Sequence, residues 1–321
     1  MNFILAILLL CLLPSTAFGF GAAGHKLVAT IAFNNMTPEQ RTRIVDLLSS
    51  RHPRWSADFA GLAPQDVTET QRQEWIFQQA AVWPDLIRSP RHGGHSYHRG
   101  AWHFIDQPIF LDAAGEASLA SGVRANFSLL IPASESAQLN AVQVMGLANK
   151  TIHDHATNEG VMLCWLMHLA GDLHQPLHCT GMCTERFPQG DRGGNAIATE
   201  QGHNLHSLWD GFPGRDRPAR EFHNEAFRMI SNRELAAAGE QAMSDLSPTA
   251  WAAESKALSS QVAYADEVRS YLKSVDSLDD DDTPRLHLTQ QYLQTAGALI
   301  DKQVMRAGYR LAAMLKELSK P

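Results

Sequence analysis

The stretch H-L-A-G-D-L-H-Q-P-L-H, residues 168–178, closes an apolar run that begins at Glu159, and the fold class turns on how it is read. The run predicts a helix over Glu159 to Leu173. Pro176 has no backbone N–H and cannot continue a helix, so the chain has turned by the time it reaches His178. Inside the helix His168 and Asp172 stand at i and i+4, one turn apart on one face. Zinc takes imidazole nitrogen and carboxylate oxygen at about 2.0 to 2.2 Å, and this pair supplies both. Downstream, N-L-H-S-L-W-D repeats the device with His206 and Asp210. One His on a helix is most often a satisfied core or surface histidine, but two His/Asp pairs joined by His178 point to a metal. His174, two residues beyond Asp172, faces away from the pair and reads as structural or as an outer hydrogen-bond donor.

Outward from this segment, strand signals are scarce and apolar residues recur every three or four positions. Helices are expected over Gly24 to Asn34, Pro38 to Ser49, Gln65 to Val82, Ala137 to His155, Leu205 to Asp210 and Leu235 to Ser274. A last helix follows Thr283-Pro284, read as N-cap and first-turn Pro, with Leu293, Ala296, Ile300, Val304, Ala307, Leu311 and Leu315 as its core stripe. Loops are expected at Arg88 to Gly100, Phe110 to Val123, Cys179 to Gly202 and Asp276 to Asp282. The run Asp279 to Asp282 lacks the ligand spacing of a calcium loop and reads as a solvated turn. No internal repeat or long linker divides the chain. The expected fold is mostly α, a single large helical domain.

The chain opens with an apolar core, Phe3 to Leu13, then Pro14, Ser15 and the small-residue pattern Ala17-Phe18-Gly19, which reads as a secretory signal peptide cleaved before Phe20. The apolar run is short for a membrane span. The expected organisation is therefore residues 1–19 as signal and 20–321 as one catalytic domain, exported to the periplasm or medium. The net charge is −7, so phosphate binding must come from a few Arg or from metals, not from a broad basic surface. Of the four Cys, Cys11 leaves with the signal and Cys164 sits in an apolar helical run. Cys179 and Cys183 are spaced to close a small disulfide loop in an oxidising compartment, with zinc ligation as the other reading. Fifteen His is the most informative count, since an exported protein gains little packing from so many.

Two upstream motifs are weak alone: W-P-D-L-I-R, with Asp85 and Arg88, and W-H-F-I-D, with His103, Phe104 and Asp106. Taken in order with F-G-A-A-G-H at residues 20–25, the 168–178 stretch, G-D-R-G-G-N and N-L-H-S-L-W-D, they make the chain resemble the zinc-dependent single-strand-specific nucleases of fungi and plants, nuclease S-one and P-one, and their bacterial relatives. The motifs run from Phe20 to Asp210; the C-terminal third matches only as helical filler.

The resemblance implies the helical fold shared by zinc phospholipase C and these nucleases, and a three-zinc cluster. One zinc falls to Asp85, His103, His168 and Asp172, and a second to His178, His206 and Asp210. The third falls to His25, a bridging Asp172, and the amino nitrogen and carbonyl oxygen of Phe20, where the family usually has Trp. Bound zinc lowers water's pKa to about 7, which gives a metal-bridging hydroxide as nucleophile at neutral pH. Arg88, one turn beyond Asp85, is placed to pair with the phosphate. Phe104 would stack a base and Asp106 would accept from its edge; the two share one face of an extended segment. Stacking is worth about 1 to 3 kcal/mol per base and tolerates any base, which suits single strands. Asn195, in a Gly-rich turn, reads as a rim residue of the site or as a turn cap. His92, His95 and His98 lie in a loop outside the family pattern, read as a solvated substrate loop with an extra metal site as the other reading.

The expected substrates are single-stranded DNA and RNA and 3′-nucleotides, with no membrane anchor and no obligate protein partner. A zinc phospholipase C is the nearest rival, although His206/Asp210 stand where that relative typically has His and Glu. A non-catalytic exported zinc-binding protein is the rival from another class; it has no use for a phosphate clamp such as Arg88.

Overall fold

A computed structural model describes residues 20–120, 126–279 and 282–320. The signal segment 1–19 lies outside the described residues, as do residues 121–123 of the expected 110–123 loop and Asp280 and Asp281 of the acidic run. The chain runs through α1 (Ala22–Asn34), α2 (Pro38–Arg51), α3 (Glu69–Leu86), strand β1 (Gln107–Phe110), α4 (Ala113–Ala120), α5 (Ala141–His153) and α6 (Glu159–Asp172). It continues with β2 (Thr180–Cys183), α7 (Leu205–Asp210), α8 (Ala219–Ser231), α9 (Arg233–Ala242), α10 (Pro248–Leu258), α11 (Asp266–Val275) and α12 (Gln290–Leu318). The fold is mostly α, as expected.

Two helices organise the core. α1 packs against α3, α6, α8 and α12, and every residue of α6 is buried. A helix enclosed on all sides is apolar all round, which is why 159–173 shows no polar stripe. The helix starts are fixed locally. Thr37, Thr68 and Asn140 each accept from the backbone N–H three residues on, and Gln40, Gln71 and Gln143 return the bond, forming capping boxes. α3 runs four residues past its expected end at Val82, carrying Pro84 inside its last turn. Trp83, fully buried with Nε1 2.8 Å from Asp58 Oδ2, anchors that turn and brings Asp85 with it.

β1 and β2 pair in parallel with Gln107 opposite Thr180 and Phe110 opposite Cys183. This small sheet matters because the residues just before each strand, His103 to Asp106 and His178, are thereby laid side by side. Ile105 N donates to His178 O at 2.8 Å.

Several expectations are corrected. The expected helix Leu235 to Ser274 is three helices, because Ser247-Pro248 starts a new one with Ser247 capping Ala250 N. α8 and α4 had no expected counterpart. α12 starts at Gln290, capped by Thr289, not at Thr283-Pro284. Leu286 N instead donates to Ala198 O (2.8 Å) and Leu286 O accepts from Glu200 N (2.9 Å), so this segment is held extended. Cys179 and Cys183 are free and buried, as is Cys164. The strand between the first two explains it: at about 3.3 Å per residue their Cα atoms stand roughly 13 Å apart, beyond the ~7 Å limit of a disulfide. Among the described residues no helix is long and apolar enough to cross a membrane.

Candidate metal centre

The site forms where the ends of α1, α3, α6 and α7 meet the two turns that precede the strands. On the last turn of α6, His168 Nε2 lies 3.1 Å from Asp172 Oδ2. His168 Nδ1 meets Ala81 O of α3 at 2.8 Å, which fixes the ring with Nε2 facing inward. His103, at the end of the turn Gly100–His103, brings Nδ1 to 2.9 Å from His168 Nε2 and 3.3 Å from Asp172 Oδ2. Asp85 Oδ1 stands 3.8 Å from His103 and 3.9 Å from His168. The four residues expected to share one zinc therefore face one another.

His25 of α1 stacks on His168 with ring centroids 3.8 Å apart, and its Nε2 is 3.4 Å from Asp172 Oδ1. A Cβ at Gly171 would sit 2.7 Å from His25 Nδ1, so the Gly of H-L-A-G-D is what lets the imidazole lie against α6. Phe20 is fully buried with its ring edge-on to His25, and Gly21 N donates to Asp210 O at 3.2 Å. The chain's first described residue is thus held beside two of the expected ligands.

His178, in the turn Pro176–Cys179, places Nδ1 3.1 Å from Asp172 Oδ1 and Nε2 3.5 Å from Asp210 Oδ1. His206 Nε2 lies 3.4 Å from Asp210 Oδ2, and His206 Nδ1 is fixed by Gly193 O at 2.7 Å. Asp172 therefore stands between two groups, with Oδ2 toward His103 and His168 and Oδ1 toward His25 and His178. Three sets of possible ligand atoms each lie within 4.8 Å: His25, Asp85 and His168; His103, His168 and Asp172; His178, His206 and Asp210.

Both His25 ring nitrogens, His103 Nε2, His178 Nε2 and Asp210 Oδ2 are buried without a hydrogen-bond partner. Buried polar atoms are rarely left so, and this concentration fits a cation bound among them. The electrostatics agree. Burial would raise the pKa of Asp172, but His168 and His178 hold it well below the usual carboxylate range. Against burial, Asp172 and Asp210 push His178 up to about 10. Burial, helped by Arg88, lowers His103 to about 3, and burial also lowers His25 and His206. The charged Asp172 and the neutral His25, His103 and His206 are ligand forms a divalent cation requires, whereas His178 and His168, both raised by their carboxylate neighbours, would have to give up a proton to a bound cation.

The cluster floors a cavity of about 820 Å³ whose lining includes Arg88, Phe104, Asp106, Arg192 and Asn195. Arg88 Nε is 2.9 Å from Asp85 Oδ1. Phe104 is 39% exposed while Ile105 is buried, so Phe104 and Asp106 share the outward face, as the alternation predicted. Burial, and then the neighbouring Asp191, raise Asp106 to about 7. Asn195 lines the cavity and closes its turn through Nδ2 to Arg192 O at 2.8 Å.

His174 is structural: Nδ1 meets Ala170 O at 2.7 Å, and Nε2 accepts from Arg310 Nη1 at 2.7 Å. His95 Nδ1 meets Ile87 O, and His92 Nδ1 accepts from Gly94 N. Among the described residues no group of metal-ligating side chains forms around His92, His95 and His98. Gln175 was missed. Fully buried, it accepts Leu177 N at 2.6 Å and donates to Asp210 Oδ1 at 2.7 Å, so it ties the turn bearing His178 to a carboxylate of α7. Its position just before Pro176 was a turn signal; its partner was not visible in the sequence.

No curated protein matches the chain. The S1/P1 Nuclease profile matches residues 20–320, so it also takes in the C-terminal helices that the short motifs left out. With the His/Asp cluster in place beneath the cavity, the chain belongs to the S1/P1 nuclease family.

Proposed function

We propose that this protein, after loss of residues 1–19, is an exported zinc-dependent phosphodiesterase and phosphomonoesterase that cuts single-stranded DNA and RNA to 5′-nucleotides and removes phosphate from 3′-nucleotides. The observation that carries the reading is Asp172, fully buried and shared between two groups of imidazoles beneath a cavity edged by Arg88 and Phe104. Asp85, His103, His168 and Asp172 would hold one zinc, and His178, His206 and Asp210 a second. His25, Asp172 and the freed terminus of Phe20 would hold the third. Bound zinc supplies Lewis acidity toward phosphate oxygens and lowers the pKa of coordinated water to about 7.

The side chains do the rest. Arg88 is oriented by Asp85 toward the cavity, where its guanidinium pairs with phosphate as negative charge grows in the transition state. The exposed face of Phe104 takes a base by stacking. A duplex conceals that face of the base, so single strands are preferred. Asp106, with a pKa near 7, offers the base edge an acceptor when ionised and a donor when protonated. The cavity thus reads a base without selecting one strongly.

The test is phosphate release from a 3′-nucleotide, and cutting of single-stranded DNA, before chelation, after it and after zinc is restored. Both activities should vanish and return together. In the same assay Arg88→Ala should lower kcat by about 10²-fold to 10³-fold with zinc content intact. Phe104→Ala should instead raise KM. Loss of metal in both variants would mark these residues as structural and refute their assignment.

A further inference from the structure

The turn between β2 and α7 keeps its backbone in the left-handed region at Gly190 (φ 90°), Arg192 (φ 59°), Gly193 (φ 60°) and Gly194 (φ 81°). Three of these four are glycine, the residue that reaches such angles without strain. Arg192 is not, and among the described residues His155 is its only non-glycine companion. The surroundings enforce the strained conformation. Asn195 gives both its backbone N (3.3 Å) and its Nδ2 (2.8 Å) to Arg192 O, and Ala196 N donates to Asp191 O at 3.1 Å. A Cβ at Gly193 would sit 2.2 Å from Leu177 O, so only glycine fits at the next position of this turn. Strain retained where glycine would relieve it marks a side chain with a task.

The Arg192 side chain is exposed and lines the same cavity as Arg88 and Phe104. Arg88 enters from the end of α3, Arg192 from the turn leading into α7. Among the described residues Arg192 makes no side-chain hydrogen bond or ion pair, whereas Arg88 is held by Asp85. In a chain of net charge −7, Arg88 and Arg192 bring two guanidiniums into one cavity, set against the carboxylates of Asp85 and Asp106 in the same lining. Arg88 is paired with Asp85 and Arg192 is carried by a different element, so the two guanidiniums can serve different phosphates.

We propose that Arg192 binds a second phosphate of the substrate, the uncut one on the 5′ oxygen of the nucleoside whose 3′ phosphate is attacked. A guanidinium fork suits phosphate oxygens, and a nucleic-acid strand presents a phosphate at every nucleotide. This assignment rests on the nuclease reading above and specifies how the cavity tells a strand from a lone 3′-nucleotide. Substrates with two phosphates are favoured over substrates with one, although the bond cut is the same.

The experiment compares release of the 3′ phosphate from a nucleoside 3′,5′-bisphosphate and from the matching nucleoside 3′-monophosphate. For the wild-type protein KM should be about 10-fold to 100-fold lower for the bisphosphate, the scale of hydrogen bonds to a charged group. In Arg192→Gly, which removes the side chain and suits the left-handed backbone, the ratio of the two KM values should fall to about one. Arg192→Lys should keep part of the ratio. Zinc content and melting temperature of Arg192→Gly should match or exceed those of the wild type, showing that the turn survives. Binding of a single-stranded oligonucleotide should also lose about 0.7 from its salt slope, the share of one phosphate contact. Equal KM values in the wild-type protein, or a ratio that survives Arg192→Gly, would overturn the assignment. Failure of the wild-type protein to release phosphate from either compound is a separate outcome that removes the nuclease reading and this one with it.

Discussion

Asp172→Asn is expected to abolish both activities, by more than about 10³-fold, and to strip more than one zinc from the protein. The size follows from where the carboxylate sits. Its Oδ2 lies 3.1 Å from His168 and 3.3 Å from His103, and its Oδ1 lies 3.1 Å from His178 and 3.4 Å from His25. An amide keeps one oxygen, so one pair of imidazoles would face an NH₂ that cannot ligate a cation, and a buried negative charge is lost as well. The loss exceeds the 10²-fold to 10³-fold scale of removing one transition-state donor, because two metal positions fail together. Asp210→Asn, by contrast, should empty only the position of His178 and His206. Zinc analysis of the two variants side by side is the check. A normal zinc content in Asp172→Asn would show that Asp172 does not bridge.

Adding one Met before Phe20, by producing the chain without residues 1–19 in the cytosol, is expected to cost one zinc and most of the activity while the helical fold remains. Phe20 is fully buried against His25, and Gly21 is tied to Asp210, so a terminus created by cleavage before Phe20 would emerge among the proposed ligands. A free α-amino group, with a pKa of about 7.7 to 8.0, can release its proton and bind zinc. An amide nitrogen in the extended chain has no lone pair to offer. Zinc content and 3′-nucleotidase rate of the extended and processed forms decide the matter. Full zinc and full rate in the extended form would exclude ligation by the terminus.

How much of this was legible in the sequence depended on how local the geometry is. His168/Asp172 and His206/Asp210 could be paired because a helix makes i and i+4 neighbours whatever surrounds them. The stripe from Leu293 to Leu315 was legible for the same reason. What brings the two pairs together was not. The parallel pairing of β1 with β2, which sets His103 beside His178, joins segments far apart in the chain and leaves no periodic signal in four-residue strands. Gln175 is invisible on similar grounds, since its partner Asp210 belongs to another helix. The start of α12 was misplaced because a local rule, Thr-Pro as a helix opening, was outcompeted by backbone bonds from Leu286 to Ala198 and Glu200. For Cys179 and Cys183 the spacing does not say whether the intervening residues fold back or extend, and β2 extends them. α8, with Phe222, Ala226 and Met229 buried along one face, carries an amphipathic pattern of the kind legible from sequence.

The most direct test of the central claim is elemental analysis of the purified, processed protein alongside its rate of phosphate release from a 3′-nucleotide. The ligand geometry around Asp172 predicts about three zinc per chain, with the rate falling as zinc is withdrawn by a chelator and recovering as it is returned. One zinc or none in protein of full activity would contradict it.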